Sequence, residues 1–411
     1  MKRILPLVVL MGLSSVAGAQ PVAPMNILPK PLAMSLLNAD PRVASARSTM
    51  DAAMLEAGII RKSPYEWNAT ATGQQRRVDA GPNYNEWNVG IQRTIRLPGK
   101  GQADQDISGA TVKLADATYG EVRHETAREL MTMWLDWLAS EHALEIANKG
   151  LASAKESLAA VEKRNRAGDA SKLDVSLVKA EIADQLRQGN EAKVKAAASW
   201  ATLSRRFPGI DRKVVALPVP SSELGQYETW RERILAESDV LRRVEASLLK
   251  SEGQSARAKA DKIPDPTLGV FTASEQGARE RIYGVTFSMP IPSGTRSARY
   301  SQAMAQESAA RQDVDLIKRE LEAAIASDVE MASGAYENFR IATEGAEAMA
   351  QNEAQMQRAY ELGEADLQSL LLSRRQAVTS ASNALQAHVD TLRTHLSLLI
   401  DAHWIWGLDE S

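Results

Sequence analysis

The sequence predicts a mainly α-helical protein with a small β part, in which one arrangement of helices and strands is written twice. Three observations carry that reading. All 16 prolines fall at or before Pro292, and none lies between Pro98 and Pro208 or after Pro292. The punctuation IRLPGKG, Ile95 to Gly101, returns as MPIPSG, Met289 to Gly294, with Pro292 lying 194 residues beyond Pro98. A glycine turn, RAGDASKLDV around Gly168, returns as YELGEADLQSL around Gly363, 195 residues further on.

The two proline-free stretches are rich in Ala, Glu, Lys, Arg, Gln and Leu, so each accommodates very long helices. A helix from about Gln102 to Arg166 would extend ~95 Å at 1.5 Å per residue. In the second stretch Val329, Ala332, Tyr336, Phe339, Thr343, Ala346 and Ala350 follow a three-four spacing, the seam of a coiled coil whose small residues allow close approach. Gly168 and Gly363 each follow a polar last turn and suit a helix C-terminus, while Asp169 or Glu364, followed by Leu173 or Leu367, suits the start of a returning helix. Each stretch therefore reads as a helical hairpin, about 102–206 and about 297–403.

Before each proline stop the period changes to two. In Glu86 to Leu97 one face carries Trp87, Val89, Ile91, Ile95 and Leu97, broken by Arg93; in Glu280 to Ile291 one face carries Tyr283, Val285, Phe287 and Met289. Each has a preceding partner, Tyr65 to Gln74 and Pro266 to Ser274, joined to it by the short polar stretches QRRVDAGPNY and EQGAR. The chain thus contributes four strands, in regions about 65–97 and about 266–291. Their length suits a tilted bilayer crossing. A small antiparallel sheet capping a soluble helical protein is the alternative. In lipid, four strands need further subunits to close, because free edges leave backbone groups unpaired.

The N-terminus adds a location. Lys2 and Arg3 precede the apolar run ILPLVVLMGL, and Ala17-Gly18-Ala19 supplies small residues for cleavage, so residues 1–19 read as an export signal. A first repeat is then expected over 20–217 and a second over 218–411, with Phe207 to Tyr227 as the joint. The chain has no cysteine, which excludes disulfides, thiolate metal sites and a lipidated N-terminal cysteine. With 49 basic against 52 acidic side chains there is no global field for nucleic acid. Beyond the signal no run approaches the ~18 apolar residues of a membrane helix. The exported chain is thus either soluble or an outer-membrane β-barrel.

The tip turns RAGDASKLDV and YELGEADLQSL, with the passages IRLPGKG and MPIPSG, resemble those of the TolC family of outer-membrane efflux proteins over nearly the whole mature chain. The run IPDPTLGVFTASEQGARERIYGVTFSMPIPSGTRSA resembles the heavy-metal cation efflux (CzcC-like) branch. This resemblance implies long coiled-coil hairpins forming an α-barrel in the periplasm of a Gram-negative bacterium. It also implies that three chains share a twelve-strand transmembrane β-barrel, with Trp87, Val89, Ile91, Tyr283, Val285 and Phe287 facing lipid. It implies a passive exit duct with no catalytic step and no cofactor, partnered by a periplasmic adaptor and an inner-membrane RND-type transporter. The adaptor-contacting tips would be Arg166, Ala167, Gly168 and Asp169 in the first copy, and Glu361, Leu362, Gly363 and Glu364 in the second. The family's two entrance aspartates, six and nine residues after the second tip glycine, are here Ser369 and Leu372; Asp174, Glu364 and Asp366 are left to supply an acidic ring.

Other chemistry is weaker. Only Glu121-Val-Arg-His124 has the Glu-x-x-His spacing of a di-iron bundle, and alone it reads as a solvated helix face. His388 and His395, seven apart, read as charged surface. Met131 and Met133 suit packing better than copper binding. HExxH, Walker and nucleophile-elbow patterns are absent from the sequence. The competing function is a soluble periplasmic coiled-coil adaptor or scaffold, against which stand two hairpins where an adaptor usually has one.

Overall fold

The computed structural model describes residues 27–221 and 225–408; the export signal expected at residues 1–19 lies outside them. Twelve elements run α1 (Lys30–Asn38), α2 (Pro41–Arg61), β1 (Trp67–Arg76), β2 (Tyr84–Thr94), α3 (Lys100–Ala167), α4 (Lys172–Arg206), α5 (Tyr227–Glu237), α6 (Asp239–Ala260), β3 (Thr267–Glu275), β4 (Glu280–Ser288), α7 (Gly294–Leu362) and α8 (Leu367–Asp401). The order two helices, two strands, long helix, returning helix is run through twice. Two leading helices stand in each copy because the chain breaks at a capping residue. Asp40 is extended before Pro41, as residues before proline are, and its side chain accepts from the Arg42 N–H. Ser238 does the same for α6, accepting from the Leu241 N–H at 3.2 Å.

The long helices α3 and α7 have 68 and 69 residues, each about 100 Å at helical rise. The returning helices α4 and α8 have only 35 each and stop halfway. Beyond that point α2 packs beside α3, and α6 packs between α3 and α7. Large apolar side chains concentrate where the short helices stop. Leu130, Trp134, Trp137 and Leu138 of α3 meet Leu203 in the last turn of α4 and Phe207 just after it, Trp230 and Ile234 of α5, and Leu392, Leu396 and Leu399 of α8. The C-terminal turn closes this core, and the Trp406 indole donates to the Leu28 carbonyl at 2.9 Å. The heptad seam of α7 starts in this core and runs on from it: Ala332 is buried there with Val329 packed against the core, Tyr336, Phe339, Thr343 and Ala346 are half-buried, and Ala350 is exposed.

The strands form one antiparallel sheet in the order β1-β2-β3-β4. The central pairing, Trp87 opposite Ser274 through Thr94 opposite Thr267, joins the first copy to the second. The outer edges of β1 and β4 carry no partner strand in this sheet.

Candidate channel wall and helical tips

The register sorts the sheet into two unlike faces. One carries Trp67, Val89, Ile91, Leu268, Val270, Tyr283, Val285 and Phe287 in aligned rows. Trp87, Val89 and Ile91 are 44–49% exposed, and Tyr283, Val285 and Phe287 are 68–82% exposed. All six residues expected to face lipid therefore lie on this side, exposed among the described residues. Arg93, which interrupts the face, sits at its helix-proximal end, with its guanidinium 5.5 Å from the Trp67 ring centre and its Nε donating to the Tyr65 carbonyl. That is the position from which a long basic side chain reaches out of an apolar layer. The opposite face presents Asn68, Thr70, Thr72, Asn88, Gln92, Thr94, Thr267 and Thr286. On this face the Phe271 ring lies over Gly284, where a Cβ would stand 2.4 Å from the ring.

Between sheet and helices lies a charged elbow that sequence reasoning missed. Lys100, the lysine of the first proline stop, is 2% exposed. Its Nζ lies 2.9 Å from Asp265 and 3.1 Å from Asp261 of the second copy. Asp265 also accepts from the Leu97 N–H at 2.9 Å and from the Tyr65 hydroxyl at 2.7 Å. Burial pushes the Asp265 carboxyl up, but these donors outweigh it and hold the group below the usual carboxylate range. Burial and the same carboxylate push Tyr65 up to about 12. Arg96 completes the elbow, reaching Asp104 at 2.8 Å. The available signal was a lysine between two glycines at the first position of a helix.

At the far end both long helices stop in the same way. Gly168 (φ +87°) and Gly363 (φ +80°) are left-handed, a conformation glycine adopts without steric cost. The Gly168 and Asp169 N–H groups return to the carbonyls of Asn165 and Arg164, and those of Gly363 and Glu364 return to Tyr360 and Ala359. This is the Schellman arrangement. It corrects the expected start of the returning helices: Asp169 and Glu364 still belong to the closing turn, and the caps come two residues later. Ser171 accepts from the Asp174 N–H while the Asp174 carboxylate accepts from the Ser171 N–H at 2.8 Å. Asp366 accepts from the Ser369 N–H and hydroxyl, and the N–H bond holds its carboxyl below the usual range.

Arg166, Ala167, Gly168, Asp169, Glu361, Leu362, Gly363 and Glu364 are all exposed, in two adjacent turns. Behind them Val161 and Val178 pack with Leu367 and Leu371, and Arg164 lies over the Tyr360 ring at 5.0 Å, so the two tips share one small core. Leu372 is exposed one turn further along α8.

The histidine-bearing helix faces correct the sequence reading. Glu121 and His124 are not a solvated face: Glu121 pairs with Arg243 at 2.7 Å, and His124 lies 3.4 Å from the buried Asp401. His388 is half-buried, within 2.7 Å of the Pro218 carbonyl and against the Phe339 ring. His395 is fully buried, and neither ring nitrogen has a hydrogen-bond partner. The sequence reading failed because α8 is amphipathic toward two neighbours, α3 and α7, and so hides more than one stripe. Met131 is buried in the mid-body core and Met133 packs against it.

The sequence pattern of the outer membrane efflux protein family matches residues 32–206. Among solved structures, the chain is similar to the outer-membrane channel OprN, with 18% identity, 92% of this chain and 90% of that one covered, and a TM-score of 0.72. The fold is that of outer-membrane channels. The Campylobacter jejuni CmeC outer membrane channel aligns at 15% identity over 92% of this chain and 85% of that one, with a TM-score of 0.72. CusC, described in connection with folding and transmembrane channel formation, aligns at 16% identity over 91% of each chain, with a TM-score of 0.70. No curated sequence matches. In this channel fold the sheet is the candidate membrane wall and the two glycine turns are the opposite end.

Proposed function

We propose that this chain is an outer membrane efflux protein, three copies of which close a twelve-strand barrel in the outer membrane of a Gram-negative bacterium and continue as a helical duct into the periplasm. The observation that carries the reading is the sheet: one apolar face is bare and both edges lack a partner strand, a combination stable only where lipid covers the face and other strands cover the edges. The family match over the first copy and the fold likeness over nearly the whole chain support it. The polar face then lines the lumen. Export through such a duct is passive, driven by an inner-membrane RND-type transporter and coupled through a periplasmic adaptor at the exposed turns around Gly168 and Gly363. Asp174 and Asp366, held at the helix starts by their capping bonds, together with Ser369 and Leu372, line the periplasmic entrance. The cargo we assign is heavy-metal cations, on the likeness of the Ile263–Ala298 stretch to that branch.

Fractionation of cells tests the assembly: the channel enters the outer-membrane fraction as a detergent-soluble trimer. A soluble adaptor or scaffold would stay in the periplasmic extract, and a folded water-soluble monomer would sink the reading. Gly363→Trp tests the tip. It leaves the trimer in the membrane but removes metal resistance and adaptor cross-linking, because a bulky side chain obstructs the contact surface and tryptophan resists the positive φ. Unchanged resistance and cross-linking would move the docking site elsewhere.

A further inference from the structure

Halfway along the molecule a cavity of about 240 Å³ opens beside the mid-body core, where α3, the α5–α6 junction, α7 and the C-terminal turn meet. Its walls are unusually rich in groups that exchange protons. From α3 come Glu121 and His124, with Glu125 and Arg128 at its exposed margin. The α5–α6 junction supplies Glu237 and Asp239, flanked by Arg242 and Arg243. Asp328 enters from α7, and Asp401 and His403 from the chain end.

These groups are coupled at short range. Arg128 donates through Nε to Asp401 at 2.7 Å, and His124 stands 3.4 Å from the same carboxylate. The His124 and His403 rings are 5.4 Å apart. Arg242 spans Glu237 at 2.7 Å and Asp239 at 3.3 Å. The Asp239 carboxylate lies directly on the backbone of α3, where a Cβ on Gly120 would stand 2.5 Å from its Oδ1. A glycine inside a long helix costs about 1 kcal/mol relative to alanine, and this approach accounts for its presence. Among the described residues, no three His, Asp or Glu side chains converge as metal ligands. The chemistry this lining of carboxylates and histidines offers is proton exchange.

We propose that this chamber is a proton-responsive joint: taking up protons on Asp239 and Asp328 in mild acid draws α3, the α5–α6 junction and α7 together, and releasing them at neutral pH loosens the contact. Ionised, the two carboxylates share the cavity with buried Asp401 and with Glu121 and Glu237, whose own arginines already neutralise them. Neutral, they can donate hydrogen bonds to those neighbours instead of repelling them.

Burial pushes Asp239 above the usual carboxylate range despite Arg242, His403 and His124. Burial and the Asp401 charge push Asp328 up, against Arg128. A carboxyl with a raised folded pKa stabilises the packed state most when protonated, and that contribution is lost as pH rises through the folded value. Asp401 has the opposite sign. Burial would raise it, but His124 and Arg128 hold it below the usual range, so its pairing persists through mild acid and fails only in strong acid. The two signs together make the joint tightest around the ordinary carboxylate pKa, and it loosens as pH rises through the raised folded values of Asp239 and Asp328.

The test is amide hydrogen exchange on the full-length protein in detergent, at pH 5 and pH 8, corrected for intrinsic rates and read on peptides from the α5–α6 junction and around Asp328. No transport is needed, so the result is separate from the channel reading. Both carboxyls are pushed up in the packed state, so protection at pH 5 exceeds that at pH 8. In Asp239→Asn/Asp328→Asn, protection at pH 8 matches the wild-type value at pH 5. Equal wild-type protection at the two pH values overturns the proposal, whether or not the double variant folds. A double variant that keeps the wild-type pH response overturns it equally.

Discussion

The sheet and the mid-body core orient their apolar side chains in opposite senses. Trp137 and Trp230 are fully buried in the core, whereas Val285 and Phe287 stand on the bare outer face of β4. Trp137 stacks near Trp200 at 5.0 Å, and its indole donates to Glu141. Phe287 stands in a row with Leu268, Arg93 and Trp67 and is 68% exposed. On the proposed channel reading, the difference teaches that one chain is written for two solvents. In water the hydrophobic effect drives large side chains inward. In a bilayer no such inward drive exists, and the polar groups and backbone need covering instead.

The largest effect falls on the water-facing half. Trp137→Ala removes a fully enclosed indole and destabilises the helical body by about 3–5 kcal/mol. Thermal unfolding of the detergent-solubilised protein measures this, and a loss below about 1 kcal/mol would mean the core closes over the gap. Next comes Val285→Arg, which on the proposed channel reading costs about 2–4 kcal/mol for a site near mid-bilayer and lowers the amount of trimer in the outer membrane. If the comparison is sound, the same substitution in the unfolding assay of the helical body has no comparable effect.

A third change sharpens the comparison through pH. His395 sits in the mid-body and burial pushes its pKa down to about 4. The unfolded value is about 6.5. Because the folded pKa is the lower one, the unfolded chain binds the extra proton between these values. The stability is therefore present above about pH 6.5 and is lost as pH falls toward 4, by up to about 3 kcal/mol. His395→Leu removes that loss. The difference between the two melting profiles isolates it from every other titrating group, and parallel profiles would show that the ring finds a partner. The smallest effect belongs to Thr286→Arg on the polar face of β4. Membrane abundance stays within error of wild type, while single-channel conductance changes because a cation has entered the lumen wall.

Much of this was legible in the sequence because it is local. Proline gaps mark the long helices, since one proline inside them would cost about 3 kcal/mol or more. Period-two faces mark the strands, and the observed register places Trp87, Val89, Ile91, Tyr283, Val285 and Phe287 on one side as that period requires. The glycine tips were visible because φ near +80° leaves few other choices. Their caps were misjudged because a Schellman turn uses two residues after the helix, so Ser171 and Asp366, not Asp169 and Glu364, meet the free amides of α4 and α8. The elbow and the chamber were illegible for a different reason. Lys100 with Asp265, and His124 with Asp401, are brought together by tertiary packing across most of the chain, and no pattern of period or punctuation records such a meeting.

The stretch between the copies has a consequence for how the polypeptide could be divided. Residues 211–220 form no helix or strand, yet His142 of α3 lies 3.0 Å from the Val215 carbonyl and His388 of α8 lies 2.7 Å from that of Pro218. The two halves meet elsewhere through the β2–β3 ladder and the buried Lys100–Asp265 pair. The covalent link is therefore the least of what joins them. A protease cut near Val215 would leave a nicked protein whose halves stay associated, and two separately made halves would carry the complementary edges and charges needed to find each other. Neither half alone can supply the partner that Lys100 and Asp265 find in each other, or cover the inner edge of its own strand pair, so the two halves complete one another and the linker serves chiefly to keep them at equal number.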